Sequence, residues 1–133
     1  SIAAPDADKD IFPLCNQEKI AITPYSPLAA GFLAGKYTAD RSDIPKGTRY
    51  DISPSHADIY FNDRNFRIVD LLKRKAAELG IPVVQLAMSW AMTNNHVTAV
   101  IAGARTTKHI DNALLAYQDG MHETLRTEIS DWS

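Results

Sequence analysis

The sequence has little of what marks a disulfide-bonded, membrane-spanning or metal-binding protein. Cys15 is the only cysteine in 133 residues, so we predict no disulfide framework and a reducing compartment such as the cytoplasm. The apolar runs of the sequence are far shorter than the roughly 20 residues that cross a bilayer. The histidines have no ligand spacing such as i, i+4, and we predict no metal site. They stand at His56, His96, His109 and His122.

Charge of one sign is also lacking. The formal net charge is −2, which gives no reason to expect a nucleic acid or an anionic membrane as partner. The first ten residues are acidic where a signal peptide would be basic, so none is predicted. Ser1 stands where a complete translated chain would usually show methionine. We therefore interpret the chain as a piece of something longer. Its 45% of hydrophobic residues and its length suffice for one domain with a core.

The periodicity predicts an α/β protein. Short, almost continuously apolar runs at 20–23 and 97–102 are typical of buried parallel strands. Helices are predicted at 9–18, 64–79, 82–93, 107–118 and 122–131. This alternation favours parallel strands joined by helical crossovers. Two strands do not make a stable sheet, which is a further indication that the chain is incomplete.

Apolar stripes predict which helix faces are buried. On 64–79 the stripe is Ile68, Leu72, Ala76 and Leu79, with Gly80 as the residue after the helix. The helix at 82–93 is apolar nearly all round, and its Trp90 is predicted to be core. On 107–118 we predict that Ile110, Leu114 and Tyr117 point inward, with Thr106 or Thr107 as cap. Residues 38–63 are polar and broken by turn signals, as in a functional or disordered loop.

The first candidate site follows the first strand, in the segment 24–37. Proline cannot donate to a sheet ladder, so strand pairing should end near Thr23, before Pro24. Tyr25 could present its ring face to a flat heterocycle, and Ser26 with the amides of the glycine-rich stretch could hold a pyrophosphate. Lys36 could close over that group. The alternative, which composition alone favours, is an ordinary proline turn with a packed tyrosine.

The second candidate site is Gly103–Thr107, where the second strand ends and a helix begins. The free amides and partial positive charge of a helix N-terminus attract anions, and Arg105 offers a donor fork that suits phosphate. Phosphate sites of this kind recur after the last strands of (β/α)₈ barrels. A plain turn with a surface arginine explains the pattern about as well.

Together the two segments resemble the C-terminal part of the aldo-keto reductases. The matching motifs are IAITPYSPLAAGFLAGKY at 20–37, VQLAMSWAMTN at 84–94 and IAGARTTKHIDNALLA at 101–116. The resemblance implies the C-terminal portion of a (β/α)₈ TIM barrel, with 20–23 and 97–102 as its strands seven and eight. Residues 1–133 would then form a single partial domain. It also implies NADP(H)-dependent reduction of the carbonyl groups of aldehydes and ketones.

The same resemblance assigns cofactor-binding residues. Tyr25 corresponds to the aromatic residue that stacks on the nicotinamide, and Arg49 to an arginine that clamps the cofactor from the long loop. Arg105 would face the 2′-phosphate, which favours NADP over NAD. The pyrophosphate segment corresponds to Ser26, Pro27, Leu28, Ala29 and Lys36, and the phosphate and adenine end to Gly103, Arg105, His109 and Asn112.

The sequence departs from the family at three positions of the second site. Ala102 replaces a proline that is frequent before the glycine, and His109 replaces a glutamine. Asn112-Ala113 stands where the family has Glu-Asn, which bears on the adenine contacts. The phosphate contacts are unaffected by these changes.

The resemblance implies that the family's catalytic Asp, Tyr, Lys and His lie on earlier strands and loops, so none of them is predicted within this chain. We expect the chain to bind cofactor, to show no turnover alone, and to have the missing N-terminal part of the barrel as a partner. A non-catalytic nucleotide-binding or regulatory subunit is the alternative, since some members of the family serve as channel-associated subunits. A truncated product that barely folds is the third possibility.

Overall fold

The computed structural model describes residues 1–133 and consists of helices joined by short connections. The seven α-helices are α1 (Ile11–Gln17), α2 (Arg49–Ile52), α3 (Ser55–Tyr60), α4 (Asp63–Leu79), α5 (Val83–Met92), α6 (Thr107–Asp119) and α7 (Glu123–Ser130). Short 3₁₀ segments occupy Asp6–Asp8, Ala29–Ala34 and Arg41–Asp43, and the second of them is kinked at Ala30 and Gly31, where φ is positive. No helix has the length and apolar character needed to cross a membrane.

Helix α4 is the longest element, and its ends are set by local chemistry. The Asn62 side chain accepts a hydrogen bond from the Asn65 amide at 3.0 Å, which caps the N-terminus. Gly80 adopts a left-handed conformation at φ +69° and donates to the last carbonyls of the helix. The predicted end at residue 79 and the glycine stop are confirmed, and the helix begins one residue before the predicted start at 64. Of the predicted stripe, Ile68, Leu72 and Ala76 are buried, whereas Leu79 is exposed at the last turn.

Helix α5 lies in the interior of the folded chain. Its residues from Gln85 to Ala91 are all buried, and Trp90 is core as predicted. Pro82 is the N-cap rather than part of the first turn. The helix packs against α4 on one side and α6 on the other. Burial on both sides explains why the sequence of α5 has no polar face.

The predicted strands at 20–23 and 97–102 are not formed, and this correction has a local cause. The two segments do lie side by side: the Ala99 amide donates to the Ile22 carbonyl at 3.3 Å, and the Ile101 amide to the Pro24 carbonyl at 3.0 Å. A parallel ladder would also need the amide of residue 24 to donate back between these two bonds. Proline has no N–H, so that half of the ladder is absent. In addition, the Ile22 amide donates to Thr98 Oγ1 instead of to a backbone carbonyl.

The segment 38–63, predicted to be irregular, contains a 3₁₀ turn and the helices α2 and α3. Its aromatic residues explain this difference, because they are anchored in the core. The ring centroids of Tyr50 and Phe61 lie 4.9 Å apart, and those of Phe61 and Phe32, in the Ala29–Ala34 segment, lie 5.4 Å apart. Such short helices are stable only through tertiary packing.

Helix α6 turns a different face to the core from the one predicted. Ile110, Leu114 and Tyr117 are exposed, at 51%, 53% and 76%, while Ala116 is buried. Buried polar groups of α5 fix this orientation. Ser89 Oγ donates to the Ala116 carbonyl at 3.1 Å, and Gln85 Nε2 donates to Asp119 Oδ2 at 2.7 Å. With these bonds formed, Ala116 is buried and the larger side chains of Ile110, Leu114 and Tyr117 are left in solvent.

Candidate functional site

The two segments singled out in the sequence border one cavity of about 610 Å³. Ile101 and the residues after it form one side, the loop from Tyr25 forms the other, and Val84 and Met88 of α5 contribute apolar surface. Ten of the eleven predicted cofactor residues line it: Tyr25, Ser26, Pro27, Leu28, Lys36, Arg49, Gly103, Arg105, His109 and Asn112. The fold therefore brings together residues up to 87 positions apart, from Tyr25 to Asn112.

Ala29 is the predicted residue that does not line the cavity. It is completely buried, and its carbonyl oxygen accepts a hydrogen bond of 2.7 Å from Tyr50 Oη. Ala29 thus attaches the loop to helix α2. Burial, with neighbouring Tyr60 and Tyr37, raises the pKa of Tyr50, so its hydroxyl remains a donor far above neutral pH.

The backbone of the first loop is held in an uncommon conformation. Ser26, Ala29 and Ala30 have φ of +56°, +49° and +55°, although none of them is glycine. Left-handed backbone costs a non-glycine residue about 1–2 kcal/mol, so packing around the loop must maintain it. Residues in such conformations cluster at ligand sites. Three non-glycine residues of this loop therefore depend on the surrounding packing for their conformation.

Tyr25 is not packed in the core. Its side chain is 78% exposed and stands at the edge of the cavity, where a ring face is free to contact a ligand. A second cavity of about 430 Å³, which includes Phe12 and Trp90, shares Tyr25 and Ser26. The tyrosine therefore borders both cavities, and its ring is not packed as the alternative predicted.

The second segment ends in the N-terminus of α6. Thr106 is at the N-cap position, but its side chain makes no capping hydrogen bond. The Arg105 amide instead donates to His109 Nδ1 at 3.1 Å. The Arg105 guanidinium is exposed, and its Nη1 donates to the Gly47 carbonyl at 3.0 Å. Arg105 thereby connects the α6 N-terminus with the segment 38–63.

The sequence did not point to two polar residues that also line the cavity, Tyr37 and His56. Tyr37 directly follows Lys36, and the Lys36 ammonium lies 5.2 Å from the centre of its ring. Adjacency to Lys36 was a signal that could have identified Tyr37. His56 lies on α3 and lines the cavity, and no local pattern marks it. No group of three or more His, Cys, Asp or Glu side chains is arranged to hold a metal ion.

Comparison with known proteins shows which family this chain matches. The profile of the family described as "Aldo/keto reductase family" matches residues 1–123. A probable voltage-gated potassium channel subunit beta of Oryza sativa subsp. japonica is 35% identical over 99 residues, which are 73% of this chain and 30% of that protein. The protein of the same description from Arabidopsis thaliana is 34% identical, over 82% of this chain and 33% of that protein. The chain spans about a third of the length of these curated relatives.

Among solved structures, the glycerol dehydrogenase of Gluconobacter oxydans superposes with a TM-score of 0.74 at 21% identity. The superposition covers 98% of this chain and 39% of that one. The molecule is therefore an incomplete part of a (β/α)₈ barrel. The chain belongs to the aldo/keto reductase family of oxidoreductases.

Proposed function

We propose that this chain is the NADP(H)-binding part of an oxidoreductase that reduces aldehydes and ketones to alcohols. The observation that carries the proposal is the cavity itself. Ten of the eleven residues selected in the sequence for stacking, clamping, pyrophosphate and phosphate contacts border one space of about 610 Å³. That volume is in the range of small-molecule and cofactor sites.

The chemistry of the lining gives each end of the cavity a role. Exposed Tyr25 offers a ring face for the nicotinamide, and the fixed loop at Ser26 offers backbone amides for the pyrophosphate. Lys36 supplies a compensating positive charge. At the other end, the α6 N-terminus and Arg105 favour the 2′-phosphate, since a guanidinium has five donors and only one is used on Gly47.

The bound cofactor would supply the hydride for carbonyl reduction, while this chain binds and orients it. No residue of the chain is proposed as the proton donor for the carbonyl oxygen. The chain alone should therefore bind NADPH without turnover. A single partial domain and a location in the cytoplasm belong to the same proposal.

Titration of the purified chain with NADPH and NADH, followed by tyrosine and tryptophan fluorescence, tests this function. We expect saturable binding that prefers NADPH, and about tenfold or greater weakening in Arg105→Ala, because a charged phosphate contact is lost. NADH binding should change little in this variant. Arg67→Ala, an exposed position of α4 away from the cavity, is the matched control. Absence of saturable binding, or equal weakening for both dinucleotides, would contradict the proposal.

The likeness to two potassium channel beta subunits favours a second candidate function. In that case the protein would bind the nucleotide as a regulatory subunit and would associate with a channel. Copurification of the full-length protein with a coexpressed channel, together with an assay for NADPH-dependent aldehyde reduction, separates the two. Association without turnover supports the regulatory function, and turnover without association supports the enzyme.

A further inference from the structure

The folded chain exposes more surface than a self-contained protein of its mass. Its accessible surface is 8024 Å² for 14.7 kDa, whereas folded monomers of this mass expose about 6,900 Å². The excess is about 1,100 Å², and a stable protein interface takes about 800 Å² from each partner. The chain therefore has enough surplus surface for one interface of standard size.

Part of this surface is unpaired backbone on both sides of Ile101. The Ile101 amide donates to the Pro24 carbonyl at 3.0 Å. Backbone groups alternate sides along an extended segment, so the amides and carbonyls of Val100 and Ala102 point away from Pro24. None of these four groups has a backbone hydrogen-bond partner within the chain. We call the Val100 and Ala102 backbone the outer edge.

The outer edge lacks the features that usually protect an exposed edge from pairing. Proteins block such edges with lysine, proline or other charged residues. The stretch VTAVIAG at 97–103 contains none of these residues. The opposite edge, that of the segment 20–24, lies between Lys19 and Pro24. The outer edge is therefore the side of this pair of segments that is open to another chain.

Helix α6, which begins at Thr107, adds an apolar stripe that has no partner. Ile110, Leu114 and Tyr117 lie four and three residues apart, and they are 51%, 53% and 76% exposed. A different face of α6 meets α5, where the Ala116 carbonyl accepts a hydrogen bond from Ser89. Backbone groups that set a register and apolar surface that gives affinity are the two components of strand-pairing recognition.

We propose that this face binds a second copy of the chain across a two-fold axis. In antiparallel pairing centred on Ile101, the Val100 amide donates to the Ala102 carbonyl of the other copy. The Ala102 amide donates to the Val100 carbonyl of the other copy, and the symmetry makes four bonds in all.

A two-fold interface uses one patch twice, which fits a chain with one open edge and one apolar stripe. The axis is perpendicular to the paired segments, so it brings both α6 stripes to the same side of the joined backbones. Association depends on concentration, and the surface is free in dilute solution. The inference does not rest on dinucleotide binding.

Sedimentation equilibrium measures the association. The mass of the wild-type chain should rise from 14.7 kDa toward twice that value as the concentration increases. Ala102→Pro removes the outward N–H from both copies and should weaken the dimer about tenfold. Thr107→Pro, at the first position of α6 where proline is tolerated, is the matched control and should associate like the wild type. A monomeric mass at every concentration, or equal association of Ala102→Pro and the control, overturns the inference. The first result would leave the edge to further strands of a longer chain.

A cysteine at the proposed axis tests the register. In a Cys15→Ser background, Ile101→Cys places two thiols on directly opposite residues, whose Cα atoms lie about 4.5 Å apart, within the range of a disulfide. Ala99→Cys is the control, because its two copies would be displaced by about 13 Å along the segments. Oxidation should link the first variant into a covalent dimer much faster than the second. Equal rates, or faster linking of Ala99→Cys, would overturn the proposed pairing.

Discussion

At the scale of single residues, the hydroxyl of Tyr50 links the helix α2 to the loop that borders the cavity. Its bond to the Ala29 carbonyl holds a residue in left-handed backbone, and both groups are buried. Phe32, Tyr37 and Phe61 surround the ring. The loop's conformation thus depends on Tyr50, a residue of the segment 38–63 that was predicted to be irregular. Residue patterns identified the cavity-lining side chains better than the groups that support them.

Burial of Tyr50 predicts a specific loss of stability in alkali. Burial and the nearby tyrosines raise its pKa in the folded protein, whereas the unfolded chain releases this proton near pH 10. The contribution of the protonated Tyr50 hydroxyl to the free energy of unfolding is therefore fully present below about pH 10 and is lost as the pH rises further. In that range the free energy of unfolding of the wild type should fall more steeply than that of Tyr50→Phe, by up to about 1.4 kcal/mol per pH unit. Urea unfolding at several pH values measures both slopes; parallel slopes would contradict the assignment.

At the scale of elements, Gly35 ends the 3₁₀ turn Ala29–Ala34 and makes a close contact with helix α4. It has φ +73°, and a Cβ there would lie 2.5 Å from Lys73 Cε. Gly35→Ala should therefore lose the left-handed backbone preference, about 1–2 kcal/mol, and must also displace the lysine side chain. Gly47→Ala is the matched control, because Gly47 has φ +71° and nothing within 4 Å.

The difference between these two variants isolates the contact. We expect Gly35→Ala and Gly47→Ala to reduce the free energy of unfolding by similar amounts, because Lys73 is exposed and its Cε is the far end of a flexible side chain that can move aside. A larger loss in Gly35→Ala, removed by adding Lys73→Ala, would mean that the lysine is held in place. Urea unfolding followed by far-ultraviolet circular dichroism gives all three values.

Helices were predictable where one sequence stretch contains both its periodicity and its end signals, as α4 does with Asn62 and Gly80. The sequence did not predict the orientation of α6, because hydrogen bonds from Ser89 and Gln85 of another helix fix it. The two predicted strands are absent for a related reason. A ladder requires backbone N–H donors on both segments, and Pro24 has no N–H. The predicted site residues other than Ala29 line one cavity, which Tyr37 and His56 also line although no motif marked them.

At the scale of the whole molecule, a large amount of apolar side chain remains in contact with solvent. On α6, Ile110 and Leu114 are each about half exposed, and they lie one turn apart. Leu115 and Tyr117 of the same helix are also exposed. Further exposed apolar side chains lie elsewhere in the chain: Ile11, Leu14, Ile20, Tyr25, Ile52, Ile59, Leu79 and Ile101. Apolar surface of this extent binds hydrophobic dyes and promotes association. The chain alone should therefore bind anilinonaphthalene sulfonate although its core is packed.

Replacing the α6 pair tests whether this surface, rather than a loose core, binds the dye. The double variant Ile110→Lys with Leu114→Lys should lower dye fluorescence while circular dichroism and the urea midpoint stay unchanged, since neither side chain is in the core. The dye is anionic, so added positive charge would by itself increase binding. Asp111→Asn with Gln118→Lys makes the same change in net charge at exposed positions of the same helix and is the control. A fall in the urea midpoint of the first variant but not of the control would show that α6 turns Ile110 and Leu114 toward the core, as its sequence alone suggested.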